Sequence, residues 1–339
     1  MATIKISKNN LYHNLNQLAL KSGSKNKIAA VLKDNAYGHG IELMAKLVSD
    51  WGIEQAVVMN NLEAAKIEKL FKNTLVLNDT ITNNPRVSYA ITEINTLKNA
   101  PKGAKLELKV DTGMHRNGIL MSELKEALNI IKANSLNLYG VFTHYRSADE
   151  FTSEFAWQKA NFEQLKSIVK QAGVEDVRFH SHNSASLLRS KEFNEDLARV
   201  GIAMYGYNEL PTPLEQVELK PILSLWANRT SSRELKAGQR VGYGGDFIAP
   251  RDMIISTYDV GYGDGLFRGN SKKPLITKEG LPILGRASMD FISIESTKEE
   301  LCIFDNAKEL AKHFNTISYE ITTNLKSEIR REIYPIMAN

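Results

Sequence analysis

Between residues 28 and 206, short apolar runs alternate with longer segments whose apolar positions follow the helical period, the sequence form of repeated βα units. The runs predicted as strands are "IAAVLK" from 28, "QAVVM" from 55, "TLVL" from 74, "SYAIT" from 88, "KLELKV" from 105, "LNLYGVFTH" from 136, "VRFH" from 177 and "LARVG" from 197. Two of the intervals read clearly as helices. In "MSELKEALNIIKAN" the residues Leu124, Leu128 and Ile131 share a face, and "FAWQKANFEQLKSIVKQAG" is closed by a glycine. Eight such units predict an α/β architecture with an N-terminal (β/α)8 TIM barrel. Past the proline-bearing, charged "PTPLEQVELKP" the texture changes. Alternating segments such as "QRVGYGGDFI", "MIISTYDVGYGDG" and "LPILGRASMDFISIEST" are separated by the turn signals "KAGQ" and "KEG", which predicts a smaller, mainly antiparallel β domain. The expected division is 1–218 for the barrel and 219–339 for the β domain.

Length agrees with two domains, because 339 residues exceed the size at which one hydrophobic core stops growing. An apolar share of 42% and a charged share of 24% describe a folding globular chain and exclude a disordered one. A formal charge of +4 is small, and the basic residues are interleaved with acids, as in "NLKSEIRREIY", so solvated faces are expected rather than a nucleic-acid interface. Cys302 has no partner for an intrachain disulfide, which makes a reducing cytoplasm the economical compartment. The start "MATIKISKNN" lacks a signal-peptide core, and no run approaches the ~20 apolar residues of a membrane span. A cytoplasmic protein is therefore expected, without membrane, nucleic acid or metal partners.

Active sites of eight-fold βα barrels lie at the C-terminal ends of the strands, and the loops after strands 7 and 8 commonly hold phosphate. Applied here, that rule gathers Lys33 after the first strand, Asp111 to Arg116 after the fifth, His144 after the sixth, "HSHNSAS" after the seventh, and Arg199 with "GIAMYG" at the eighth. Asn183 and Ser184 stand ahead of the helical run "ASLLRS", where free backbone N–H groups and a hydroxyl suit an anion, and Gly201 lets the backbone approach a ligand closely. A phosphate group and a carbonyl that condenses with lysine occur together in pyridoxal 5'-phosphate.

These residues resemble the alanine racemase family, the fold-type III pyridoxal phosphate enzymes. "AVLKDNAYGHG" is similar to that family's lysine motif, and the similarity continues in order through "LKVDTGMHRNG", "GVFTHYRSADE", "HNSAS", "RVGIAMYG", "RVGYGGDF", "VGYGDGLFR", "GRASMDF" and "RREIY". The resemblance implies interconversion of L-alanine and D-alanine, supplying D-alanine for peptidoglycan, with Lys33 joined covalently to the cofactor and acting as one base. Tyr37, Ser184, Tyr334 and the backbone at Gly201 and Ile202 would hold the phosphate, with Asn183 beside them. Arg116 would contact the phenolic oxygen, Arg199 would face the pyridine nitrogen, and His144 would link Arg199 to the second base, Tyr243. In the family that tyrosine arrives from the partner subunit, so a homodimer with shared active sites is implied. Arg116, Tyr262 and Met289 would meet the substrate. Arg268 and Arg286 would line its entrance, faced by Asp149 and His180 from the barrel.

Racemisation suits this set, because inverting an α-carbon removes a proton on one face and returns one on the other. Lysine and tyrosine titrate ordinarily near ~10.4 and ~10, so each needs help to act as a base near neutrality. Three departures from the family pattern stand out: Asp34 where alanine is usual, His115 and Asn117 within "MHRNG", and Ser288 where cysteine is common. The hydroxyl of Ser288 would tolerate a polar substrate such as serine beside alanine. Lys109 matches a position that is carbamylated in some members. Two other readings fit less well. A non-catalytic single-barrel carrier would not need the β domain with Tyr243 and Tyr262. A fold-type III decarboxylase would bring a glycine-rich phosphate segment and a partner-supplied cysteine, whereas Cys302 in "ELCIFDN" reads as core.

Overall fold

The computed structural model describes residues 2–212, 214 and 216–334. They form two compact units: residues 12–36 with 44–220, and residues 2–11 with 37–43 and 221–334. The first strand, β1 (Thr3–Ser7), lies in the second of these.

Each of the eight expected strand segments forms a strand of the first unit: β2 (Ile28–Val31), β3 (Gln55–Val58), β4 (Asn73–Val76), β5 (Val87–Ile91) and β6 (Lys105–Asp111), then, after a two-residue β7 (Ile119–Leu120) beside β6, β8 (Asn137–Phe142), β9 (Arg178–His180) and β10 (Ala198–Val200). They pair in parallel in the order β10-β2-β3-β4-β5-β6-β8-β9. Across the remaining seam, Asp196 N donates to Phe179 O at 3.1 Å and Arg199 N to His182 O at 2.9 Å, so the barrel is nearly closed. Both faces of such strands are covered, which is why β2 is buried along its whole length and reads as an unbroken apolar run. The helix Leu124–Ala133 buries Leu124, Ala127, Leu128 and Ile131, the expected face, against Leu106, Leu108 and Val110 of β6. The helix Glu154–Gln171 buries Phe162, Leu165 and Val169 in the same core, and Gly173 follows it with φ +76° in the left-handed region that glycine enters without penalty.

The second unit is the expected mainly antiparallel sheet. Its spine is the 13-residue β11 (Leu223–Leu235), and the other strands are β12 (Arg240–Val241), β13 (Phe247–Ile248), β14 (Met253–Tyr258), β15 (Ile292–Ile294), β16 (Glu300–Phe304) and β17 (Arg330–Tyr334). β1 pairs antiparallel with β11 and parallel with β17, and its alternation buries Ile4 and Ile6. The hydrogen bonds of the N-terminal "TIKIS" therefore go to a sheet whose other strands lie more than two hundred residues downstream. Among the described residues no helix is long and apolar enough to cross a membrane.

Gly38 is one position where only glycine fits. Its φ is +80°, and a Cβ there would stand 1.8 Å from Thr322 O. Its own carbonyl accepts from Arg331 Nε at 3.0 Å and Nη2 at 2.8 Å, which leaves the backbone no room to retreat. Gly38→Ala is expected to cost about 3 kcal/mol or more, seen as a drop in the thermal unfolding midpoint.

Candidate active site

Lys33 follows the end of β2 by two residues. The next four residues, Asp34, Asn35, Ala36 and Tyr37, all have φ of 53° or 54°, a complete left-handed turn built without glycine. Such a conformation costs roughly 1–2 kcal/mol per residue, so several kcal/mol of strain sit beside the lysine. Local bonds hold the turn in place. Ala36 N donates to Leu32 O at 2.8 Å, and the Glu63 carboxylate accepts from Asn35 N at 3.3 Å and Met59 N at 2.8 Å. Tyr205 Oη donates to Val31 O at 2.8 Å. Lys33 Nζ lies 3.1 Å from Asp34 Oδ2, so the residue that departs from the family pattern is the lysine's ion-pair partner.

Around the barrel rim the expected cations converge on His144. Burial, then Arg199, Arg116, Lys109 and Lys33, push this imidazole down to about 3, so it is neutral at physiological pH. Lys109 donates to Asn117 Oδ1 and is itself pushed down to about 8 by burial, Arg116 and Arg199. Arg116 is exposed on the loop after β6, which Asp111 shapes by accepting backbone N–H groups from Gly113, Met114 and His115 at 2.9, 3.0 and 3.1 Å. Arg199, on β10, is buried, and burial lowers it to about 10, which leaves the guanidinium protonated. Its Nη1 donates to His180 Nδ1 at 2.6 Å and His180 O at 2.8 Å, and its Nη2 to Thr143 O at 2.6 Å and Ser181 O at 3.2 Å.

The loops after β9 and β10 come together as anticipated. Asn183 caps the helix Ser184–Arg189, accepting from Ser186 N, and its amide donates to Tyr145 O at 3.3 Å. Ser184 Oγ accepts from Gly201 N at 3.0 Å and Ala203 N at 3.2 Å, which binds the strand 7 loop to the strand 8 loop, and Ile202 is buried between these two amides. The anion site expected from the sequence falls at this junction, where both amides are engaged by the Ser184 hydroxyl. The donor set as a whole fits an anionic aldehyde: one amine, several fixed cations and backbone amides on one rim.

His180 is a correction. Expected to face the β domain, it is instead wholly buried, with one ring nitrogen on Arg199 and the other 2.7 Å from Glu107 Oε2. Asp149 is exposed. Sequence reasoning passed over the half-buried Glu63 and two buried carboxylates, Glu107 and Glu195. The last accepts from Ser181 N at 2.5 Å and from Ser181 Oγ, and lies 3.1 Å from His182 Nδ1. No local pattern marks them: Glu63 and Glu107 are single acids in apolar or mixed segments, and Glu195 sits beside Asp196 in the charged stretch "KEFNED". Against its own burial, hydrogen bonds and charge from His182 and Ser181 hold Glu195 at about 2, below its ordinary 4.5. A depressed folded value means the stabilisation is present above the ordinary value and lost as pH falls toward about 2. Glu195→Gln is expected to flatten this acid limb in a pH series of denaturant unfolding.

The remaining candidates belong to the second unit. The Tyr37 ring packs on Tyr319 with centroids 5.7 Å apart, and Tyr334 ends β17 with Lys5 Nζ 5.7 Å from its ring. Tyr243 lies on the one-turn 3-10 segment Tyr243–Gly245 with its side chain 63% exposed. Tyr262 and Met289 are brought side by side, because Tyr262 N donates to Ser288 O at 3.0 Å and Gly263 N to Met289 O at 2.8 Å. Ser288 Oγ donates to Phe291 O and accepts from Phe291 N, both at 2.9 Å, so the hydroxyl read as a polar-substrate contact is committed to its own turn. Arg286 clasps Asp246 with two bonds of 3.0 and 3.1 Å, and Arg268 lines a surface depression with Tyr262, Phe267 and Lys326.

A lysine and the expected anion site on the rim of a nearly closed βα barrel, in a chain that adds an antiparallel β unit, define a two-domain pyridoxal phosphate enzyme. Residues 6–209 match the family description "Alanine racemase, N-terminal domain", and residues 222–333 match "Alanine racemase, C-terminal domain". The chain is 47% identical to an alanine racemase of a Nitratiruptor species, over 98% of this chain and 99% of that one. It is 43% identical to an alanine racemase of Campylobacter jejuni subsp. doylei, with the same coverage. A crystal structure of alanine racemase from Bacillus anthracis with bound L-Ala-P superposes with a TM-score of 0.88 at 26% identity, covering 99% of this chain and 95% of that one. The chain belongs to the alanine racemase family. Membership carries the family's chemistry, a pyridoxal 5'-phosphate-dependent isomerisation of alanine.

Proposed function

We propose that this chain interconverts L-alanine and D-alanine with Lys33 as the base on one face of the α-carbon and Tyr243 of the partner subunit as the base on the other. Bound pyridoxal phosphate supplies the electron sink that makes the α-proton removable. The chain's residues do the rest. Lys33 would anchor the cofactor, and its Nζ would take or return the proton on one face of the α-carbon. Arg116, Lys109 and Arg199 supply positive charge at the rim, which favours an anionic cofactor. Arg199, a permanent donor, would meet the cofactor's ring nitrogen as a hydrogen-bond acceptor and so would not protonate it. The cradle of Ser184, Gly201 and Ile202, with Asn183, Tyr37 and Tyr334, holds the phosphate; Tyr262, Met289 and Arg116 meet the substrate.

The observation that carries the two-chain reading is the exposure of Tyr243. At 63% exposed in its own chain, on a turn shared with no other base, the phenol is in water, where it is a poor general base. Met289, Phe291 and Ile248 on the same unit are also 44–56% exposed, an apolar set that a second copy would cover. A homodimer with shared active sites follows, and the reducing cytoplasm remains the proposed compartment.

Mixing two inactive variants tests this directly. Lys33→Ala and Tyr243→Phe homodimers, allowed to exchange subunits, should recover about a quarter of wild-type activity, because half the dimers then hold one intact site of two. No recovery despite proven subunit exchange, or a fully active monomer in sedimentation, overturns the shared site.

A further inference from the structure

The barrel floor holds a polar chain that the family reading does not use. Glu107, on β6, is wholly buried and accepts on both oxygens: Oε1 from Ser88 Oγ and Arg178 Nη2, and Oε2 from His180 Nε2 at 2.7 Å. The carboxylate is in turn fixed from below. Asn73 Nδ2 donates to Ser88 Oγ at 2.8 Å, and Arg178 Nη1 donates to Gln55 Oε1 at 2.9 Å. Space for it depends on Gly140, where a Cβ would stand 2.8 Å from Glu107 Oε2 and 3.0 Å from Arg178 Cγ.

Donor and acceptor types then dictate the state of His180. A guanidinium only donates, and Arg199 Nη1 is 2.6 Å from His180 Nδ1, so Nδ1 carries a lone pair. The ring proton must therefore be on Nε2, where it donates to Glu107. His180 is a neutral Nε2–H tautomer clamped between a cation and an anion. Its ring is also held flat on Phe142, with centroids 4.8 Å apart and planes at 6°, and Arg199 Cζ lies 5.0 Å from the same Phe142 ring.

We propose that Glu107 is a positioning residue which, by fixing the tautomer of His180, sets the orientation of the Arg199 guanidinium at the barrel rim. Arg199 has four bonds on its two Nη atoms, three of them to backbone carbonyls that cannot change character. The fourth, to His180 Nδ1, is the one that a proton shift would turn from attraction to repulsion. Without the Glu107 carboxylate the Nε2–H tautomer keeps only the single bond from Arg199 Nη1 in its favour, and the Nδ1–H form would push Arg199 away. A neutral imidazole polarised by an anion is also the stronger acceptor, which tightens the same bond.

The inference rests on the reading of Arg199 as the group beside the cofactor ring, and the experiment separates the two. In the holoenzyme labelled with 15N-histidine, the His180 resonances, assigned by their loss in His180→Gln, should show a single Nε2–H tautomer that does not titrate around neutral pH. Protonation at Nδ1 overturns the inference without any Glu107 variant having to fold. In Glu107→Gln the tautomers should mix, the visible absorbance of the bound cofactor should shift, and kcat should fall about tenfold, more than KM changes. Arg178→Met, which removes Glu107's charged partner, should lower thermal stability while leaving the absorbance in place. If Arg199→Lys leaves the absorbance unchanged, the reading of Arg199 fails. If Arg199→Lys shifts it and a folded Glu107→Gln does not, the Glu107 proposal fails.

Discussion

Lys33→Ala is expected to lose racemisation by at least about four orders of magnitude, since it removes both the covalent anchor and a positioned base that by itself contributes ~10² to 10⁴. The protein should remain folded. Lys33 is about one-third exposed and its ion pair with Asp34, which is more than half exposed, is of the kind worth ~0–1 kcal/mol. Loss of the left-handed turn is not expected either, because its ties run through Leu32 O and Glu63 rather than through the lysine amine. The purified variant should lack the cofactor's yellow colour after dialysis, and borohydride should reduce nothing onto the chain. Partial return of exchange on adding a small primary amine would show that an amine, and only an amine, was missing. Undiminished turnover in Lys33→Ala would end the assignment of the lysine.

The second large effect is on Tyr243. Tyr243→Phe should reduce kcat by ~10² to 10⁴, the ordinary contribution of one general base. Its signature separates it from a folding defect. With Lys33 intact, one face of the α-carbon is still served, so in deuterium oxide one enantiomer of alanine should exchange its α-hydrogen without inverting. The other enantiomer should exchange slowly. The residue is largely exposed in its own chain, so the unfolding midpoint should not move. Equal loss of exchange from both enantiomers would mean that Tyr243 supports the site rather than acting as a base in it.

Much of this site was readable along the chain because its signals are local. Lys33 followed by "DNAYGHG", the cap residues Asn183 and Ser184 before a helical run, and Gly201 after a strand are each defined within a few residues. The aliphatic runs became strands, and the helix face of Leu124, Leu128 and Ile131 became core, because burial on a parallel barrel needs only the right period. The left-handed turn at Asp34 to Tyr37 was not legible, since no glycine among those four residues announces positive φ and the strain is compensated by Glu63, nearly thirty residues away.

Composition and period were thus enough for two domain types, for the barrel, and for the ring of cations at one end of its strands, since each follows from the order of residues along a single segment. What only three dimensions decided is which distant segments meet. "TIKIS" hydrogen-bonds to β11 and β17 because edge N–H and C=O groups must find partners wherever the chain brings them. Glu107, His180 and Arg199 form one bonded line although 73 and 19 residues separate the neighbours, and the reason is desolvation. A charge in the barrel interior is tolerated only beside its complement, and that pairing is set by strand order and register.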